Sequence, residues 1–154
     1  MNGIRKTKKM LRIGIIGCGR IFKKHFESIY QSKLYELVAI SETKQNVLNN
    51  TLINFNLKRY KDYNMMVLNE KLDVVSILTD SGSHEAIINN LAGKVNNIIV
   101  EKPFTLKSSS AVKVVEKCKK NKTRIFVVHQ NRLNDTVKKL FELKNQNVFG
   151  KIFL

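Results

Sequence analysis

Apolar residues along this chain fall into two patterns that alternate. Short, near-continuous runs occupy Leu11–Ile16, Glu36–Ser41, Leu57–Tyr60, Asp73–Leu78, Asn97–Glu101 and Arg124–His129. Runs of that kind suit strands buried on both faces of a parallel sheet. Between them, apolar positions recur at helical spacing. Ile21–Gln31 carries Phe22, Phe26, Ile29 and Tyr30, and His84–Ala92 carries Ile87, Ile88, Leu91 and Ala92, with Ser83 as N-cap and Gly93 as stop. Ser109–Lys120 is expected to turn Val112, Val115 and Cys118 inward, with Val114 on the face of Cys118, while Asp135–Asn145 carries Val137, Leu140 and Phe141 beneath lysine-rich outer positions. The alternation predicts an α/β fold, a doubly wound and mostly parallel sheet with helices on its faces.

Composition narrows the class. A chain of 154 residues with 43% hydrophobic content fits one domain with an ordinary core. No run approaches the ~20 apolar residues of a membrane span. The segment Met1–Met10 is basic but lacks the apolar stretch of a signal peptide, so it reads as a solvated lead-in to a cytoplasmic protein with no membrane partner. Cys18 and Cys118 form no Cys-x-x-Cys pair and are expected to be reduced and structural. The net charge of +16 attracts anions, yet its densest run, Lys113 to Arg124, closes a helix where cations suit the dipole. Without a zinc-finger, RNA-recognition or helix-turn-helix signature, no specific nucleic-acid partner is expected. Three histidines without ligand spacing give no metal site.

The chemistry begins where the first strand ends, at Gly17-Cys18-Gly19-Arg20-Ile21. A dinucleotide site needs a strand feeding a side-chain-poor turn into a helix N-terminus, where backbone N–H groups and the helix dipole hold a pyrophosphate. Gly17 and Gly19 supply that turn, Cys18 is small, and Arg20 and Ile21 open the helix. Phe22 stands where the usual fingerprint has a third small residue. Glu42 closes the second strand, Leu37-Val-Ala-Ile-Ser41, at the distance expected for a carboxylate on the adenosine ribose. A carboxylate there repels a 2′-phosphate and favours NAD over NADP; Lys44 pulls the other way.

Four motifs then follow in one order: Gly17-Cys-Gly-Arg-Ile21 with His25; Asp73-Val-Val-Ser-Ile-Leu-Thr79 leading to Ser81-Gly-Ser-His84; Glu101-Lys-Pro103; and Val128-His-Gln-Asn-Arg132. From Leu11 onward the chain resembles the glucose-fructose oxidoreductase, inositol dehydrogenase and MocA family of NAD(P)-dependent sugar oxidoreductases. Within that family, Gln130-Asn-Arg132 and Gly150-Lys-Ile-Phe-Leu154 look most like the nucleotide-sugar 3-dehydrogenases of surface-polysaccharide biosynthesis. The resemblance implies a Rossmann sheet that binds NAD and a sugar or nucleotide-sugar substrate. It makes Lys102 the catalytic residue, meeting the substrate hydroxyl beside the nicotinamide, with Glu101 on the cofactor's nicotinamide side. Thr79 and Ser81 would line the cofactor cleft, and His84 would either approach the cofactor edge or pack the start of its helix. Gln130 would adjoin the cofactor, and Asn131 and Arg132 the substrate. His25 is expected to pack its helix on the sheet, and the role of His129 is open. Two departures from the family pattern stand out: Asp80 replaces a proline, and Leu133-Asn-Asp135 replaces an aromatic and a proline.

The resemblance also divides the chain into a lead-in at 1–10, a dinucleotide-binding domain at 11–133, and at 134–154 a connecting helix with the first strand of a substrate domain otherwise absent. On that expectation the chain binds NAD with little turnover, and self-association is open. The competing reading is a noncatalytic NAD-binding module for sensing or assembly, which Asp80 and Leu133–Asp135 would suit.

Overall fold

A computed structural model describes residues 9–151. Most of the expected basic lead-in and of the expected closing strand, at residues 1–8 and 152–154, lies outside the described residues. Six strands, β1 (Leu11–Ile16), β2 (Tyr35–Ser41), β3 (Lys58–Tyr60), β4 (Val74–Ile77), β5 (Asn97–Val100) and β6 (Arg124–Val127), form one sheet in the order β3-β2-β1-β4-β5-β6. Every pairing is parallel. The chain winds outward from β1 to β3, then crosses back to β4 and winds the other way. The carboxyl ends of β1 and β4 therefore flank a topological switch point, where open α/β sheets leave a crevice.

Right-handed crossovers set the helices on two faces. Helices α1 (Phe22–Ser32) and α2 (Gln45–Asn50) cover one, and α3 (Tyr63–Asn69), α4 (His84–Leu91) and α5 (Ser108–Lys120) cover the other. The core divides accordingly. Ile13, Ile15, Phe22, Ile29, Ile40 and Leu48 fill the first layer, and Met66, Val75, Ile77, Ile88, Leu91 and Val114 the second. Gly14 in β1 lets α3 approach closely, since a Cβ there would lie 2.7 Å from Leu72 Cδ1 and 3.1 Å from Met66 Cε.

Two expectations are corrected here. On α5 the buried residues are Val114 and Cys118, while Val112 and Val115 are 58% and 50% exposed. Residues 114 and 118 are four apart and share the stripe facing the sheet, which leaves 112 and 115 on the flank. Ser83 stands at the N-cap of α4, but its hydroxyl donates to the Asp80 carbonyl at 2.8 Å and pairs with the Thr79 hydroxyl at 2.7 Å rather than capping the helix. The last helix, α6 (Asp135–Asn145), follows a 3-10 turn at Gln130–Leu133 and buries none of its side chains, with Leu140 and Phe141 both exposed.

Candidate cofactor and substrate site

The glycine turn owes its shape to two different constraints. Gly17 has φ +93°, and a Cβ there would sit 2.9 Å from Leu78 C and Thr79 N, the backbone leaving β4. A side chain at Gly19 would meet nothing within 4 Å. The first glycine lets two backbones cross, and the second keeps a floor open. The Gly17 N–H donates to the Ser41 carbonyl at 2.8 Å, fixing the turn against the end of β2. Ile21, at the N-cap of α1, offers no side-chain cap; the Phe22 and Lys24 N–H groups donate to the Gly19 and Ile21 carbonyls at 3.1 Å, which leaves those of Gly19, Arg20 and Ile21 without an acceptor among the described residues. That arrangement suits a diphosphate.

A cleft of about 520 Å³ opens from this turn. Gly17–Gly19, Ser41–Lys44 and Leu78–Asp80 form most of its wall, with Lys61, Tyr63 and Ser83 completing it. Glu42 is half-buried at one end. Its carboxylate accepts from the Cys18 N–H at 3.0 Å, the Lys44 N–H at 3.0 Å and the Thr43 hydroxyl at 3.2 Å. Burial pulls its pKa upward, but the hydrogen bonds from Lys44, Cys18 and Thr43 outweigh burial and hold it below the usual carboxylate range. Cys18 turns its side chain into the core, where burial, reinforced by the negative charge of Glu42, pushes the thiol up to about 12.

The other end of the sheet edge carries Glu101, Lys102 and Pro103, just past β5. A second recess of about 490 Å³ there is lined by Lys102, Pro103, His129, Gln130, Asn131 and Arg132. Residues from two segments that the sequence links only by resemblance are thus neighbours in space. Lys102 is exposed, and among the described residues its ammonium has no hydrogen-bond or ion-pair partner.

A model of the GFO_IDH_MocA oxidoreductase family, with an NAD-binding Rossmann fold, matches residues 11–129. The chain belongs to that family. It is 27% identical over 142 residues to the myo-inositol 2-dehydrogenase of Thermotoga maritima, covering 92% of this chain and 42% of that protein. D-apiose dehydrogenase of Paraburkholderia graminis is 29% identical over 126 residues, 81% of this chain and 33% of its own length. The WlbA dehydrogenase from Bordetella pertussis, solved in complex with NADH and UDP-GlcNAcA, superimposes with a TM-score of 0.88 at 29% identity, covering 94% of this chain and 45% of that one. The chain spans less than half the length of these relatives.

Within the family frame, the expected site residues divide. Gly17, Cys18, Gly19, Glu42 and Thr79 line the cleft, and Lys102, Gln130, Asn131 and Arg132 line the recess. Arg20, Ile21 and Ser81 line neither, and Ser83 lines the cleft. His84 is 1% exposed, its Nδ1 2.8 Å from the Pro103 carbonyl and its Nε2 3.1 Å from the Thr79 carbonyl. The ring therefore binds protein, not the cleft, which is the helix-packing alternative for this residue. Glu101 is 7% exposed, with one oxygen 2.8 Å from His25 Nε2 and the other accepting from the Lys102 N–H at 3.1 Å. Lys61 and Tyr63 escape the sequence reading, although Lys61 directly follows the third strand, a position that in such sheets faces the crevice.

Proposed function

We propose that this chain is the NAD-binding half of a dehydrogenase acting on a secondary hydroxyl of a sugar or nucleotide sugar. One observation carries the reading: the glycine turn with Glu42 and the Lys102 recess sit on the same carboxyl edge of one sheet. The amides of Gly19, Arg20 and Ile21 suit the pyrophosphate, and the Glu42 carboxylate suits the ribose hydroxyls and repels a 2′-phosphate. When bound, the nicotinamide supplies a two-electron acceptor for the hydrogen leaving the carbinol carbon. Lys102 donates a hydrogen bond to the carbinol oxygen and stabilises the negative charge that builds there as its proton passes to water, which reaches this exposed recess. Gln130, Asn131 and Arg132 hold neighbouring hydroxyl or phosphate oxygens. The similarity to the WlbA dehydrogenase solved with UDP-GlcNAcA supports a nucleotide sugar over a free cyclitol. Lys102, Gln130, Asn131 and Arg132 are all exposed, so this half does not exclude water by itself, and turnover by the 154-residue chain alone is expected to be small.

Thermal unfolding with NAD, NADP, and NADH plus a UDP-sugar acid or myo-inositol tests the reading. NAD at about 100 times its Kd should stabilise the fold by about 2.7 kcal/mol. NADP should do less, and the UDP-sugar should add a further shift that Lys102→Met removes. No shift at millimolar NAD would refute the reading. A shift with NAD, but none from any sugar in wild type or variant, would favour the noncatalytic module, the alternative suited by the Asp80 carboxylate in the cleft wall.

A further inference from the structure

Two imidazoles, the half-buried His25 and the buried His84, flank the strand end that carries Lys102, and each contacts one of its neighbours. His25, from α1, places Nε2 2.8 Å from Glu101 Oε1; the other carboxylate oxygen, Oε2, accepts the Lys102 N–H at 3.1 Å. The two side chains are only 17% and 10% exposed. His84, from α4, places Nδ1 2.8 Å from the Pro103 carbonyl and Nε2 3.1 Å from the Thr79 carbonyl. Carbonyl oxygens only accept, so a ring with one N–H donates to one of the two and packs against the other, while a ring with two ties the Lys102 turn to the wall of the cofactor cleft. The two helices lie on opposite faces of the sheet. Of the triplet, Glu101 is buried, and Lys102 carries the one charged side chain that meets solvent.

We infer that His25 and His84 are positioning residues, a clamp from both faces of the sheet that fixes the Lys102 backbone and so aims its ammonium. The inference rests on reading Lys102 as the group that meets the substrate hydroxyl. His25 also belongs to the helix that the glycine turn starts, so the clamp joins the pyrophosphate end of the site to its reacting end. A lysine stem has four rotatable bonds, and the only part of it that protein can fix without occupying the ammonium is its backbone.

Amide hydrogen exchange on the 154-residue chain reads the clamp locally, with Ile15 and Ile98 as reference amides in the core. Relative to them, Lys102 should exchange at least about tenfold faster in His25→Ala, the factor expected when a charge-assisted hydrogen bond is lost. His25→Gln, whose amide can still donate to Glu101, should restore most of the protection. His84→Leu, which can donate to neither carbonyl, should move the amide signals of Lys102 and Phe104 and leave that of Ile15 in place. NAD affinity should stay within about threefold in all of these variants, because neither ring lines the cleft, whereas the extra stabilisation by a UDP-sugar should vanish in His25→Ala and return in His25→Gln. If His25→Ala does not fold, His25→Asn, too short to reach Glu101, carries the test. Wild-type protection at Lys102 in a folded His25→Ala or His25→Asn chain overturns the clamp. Failure of wild type to bind NAD overturns the proposed function instead, and leaves the exchange result standing.

Discussion

The two glycines of the turn predict opposite phenotypes for the same substitution. In Gly17→Ala the new methyl would lie 2.9 Å from Leu78 C and Thr79 N and 3.0 Å from Leu78 O, all backbone atoms of the central strands, at a residue with φ +93°. The left-handed backbone costs an L-residue about 1–2 kcal/mol. Wedging a methyl between rigid strands adds about 1–3 kcal/mol, since neither neighbour is the free end of a side chain. The sum, about 2–5 kcal/mol, is a large share of the about 5–15 kcal/mol that holds a domain together. At about 2–4 °C per kcal/mol for a chain of this size, Tm should fall by about 4–20 °C. Gly19→Ala meets no atom within 4 Å, so Tm without ligand should move by less than about 2 °C. Its methyl instead stands beside the amides proposed to hold the pyrophosphate, and NAD affinity should drop at least about thirtyfold, as when about 2 kcal/mol of close polar contact is lost. Scanning calorimetry and NAD titration of both variants give four numbers. Wild-type NAD affinity in Gly19→Ala would refute the pyrophosphate assignment. An unshifted Tm in Gly17→Ala would refute the account of how β1 and β4 meet.

Two further outcomes follow from the same turn. Glu42→Ala leaves the Cys18 and Lys44 amides without their acceptor and exposes any 2′-phosphate to Lys44 and Lys61. The preference for NAD over NADP should shrink at least about tenfold, equivalent to ~1.4 kcal/mol of like-charge repulsion, and competitive titration with both cofactors checks it. An unchanged ratio would remove Glu42 from cofactor selection. The Cys18 thiol, pushed up to about 12 from an ordinary 9.0, favours the folded state while protonated. Its contribution is therefore complete below pH 9 and lost as pH rises toward 12, at up to about 1.4 kcal/mol per pH unit. Urea unfolding of wild type and Cys18→Ala between pH 8 and 10.5 should show the difference in stability between them narrowing or reversing with pH, and a constant difference would contradict the burial of this thiol.

What could be read from the sequence tracks how local each constraint is. The glycine turn and the strands around it were legible because their demands are written in consecutive residues: a buried apolar run, then positions where backbones must cross. Glu42 was legible for a related reason, since it directly follows a strand whose end must face the crevice, whereas Lys102 was singled out by the family resemblance alone. The helices α2 and α3 were not. They run six and seven residues, and each buries a single side chain, Leu48 or Met66, so no periodic stripe exists to detect. Only Asp62, whose side chain accepts from the Asn64 N–H, marked the start of α3. On α5 the pattern was ambiguous, not silent. Ala111, Val112, Val114, Val115 and Cys118 offer two overlapping apolar stripes, and the crossover from β5 to β6 selects the one carrying Val114 and Cys118.

The histidines show where local reading stops. His25 and Glu101 are 76 positions apart, and His84 and Pro103 are 19 apart. Nothing in the residues near His25 distinguishes a histidine that packs a helix from one that holds a carboxylate on the far strand. The distinction comes from strand order: β4 lies beside β1, and β5 beside β4, so the end of β5 is brought within reach of the first turns of α1. A helix side chain that points across a switch point must meet whatever follows those two strands. In this chain the residue met there is Glu101. A polar side chain at the position of His25 can thus bear on the geometry of Lys102 without touching either ligand.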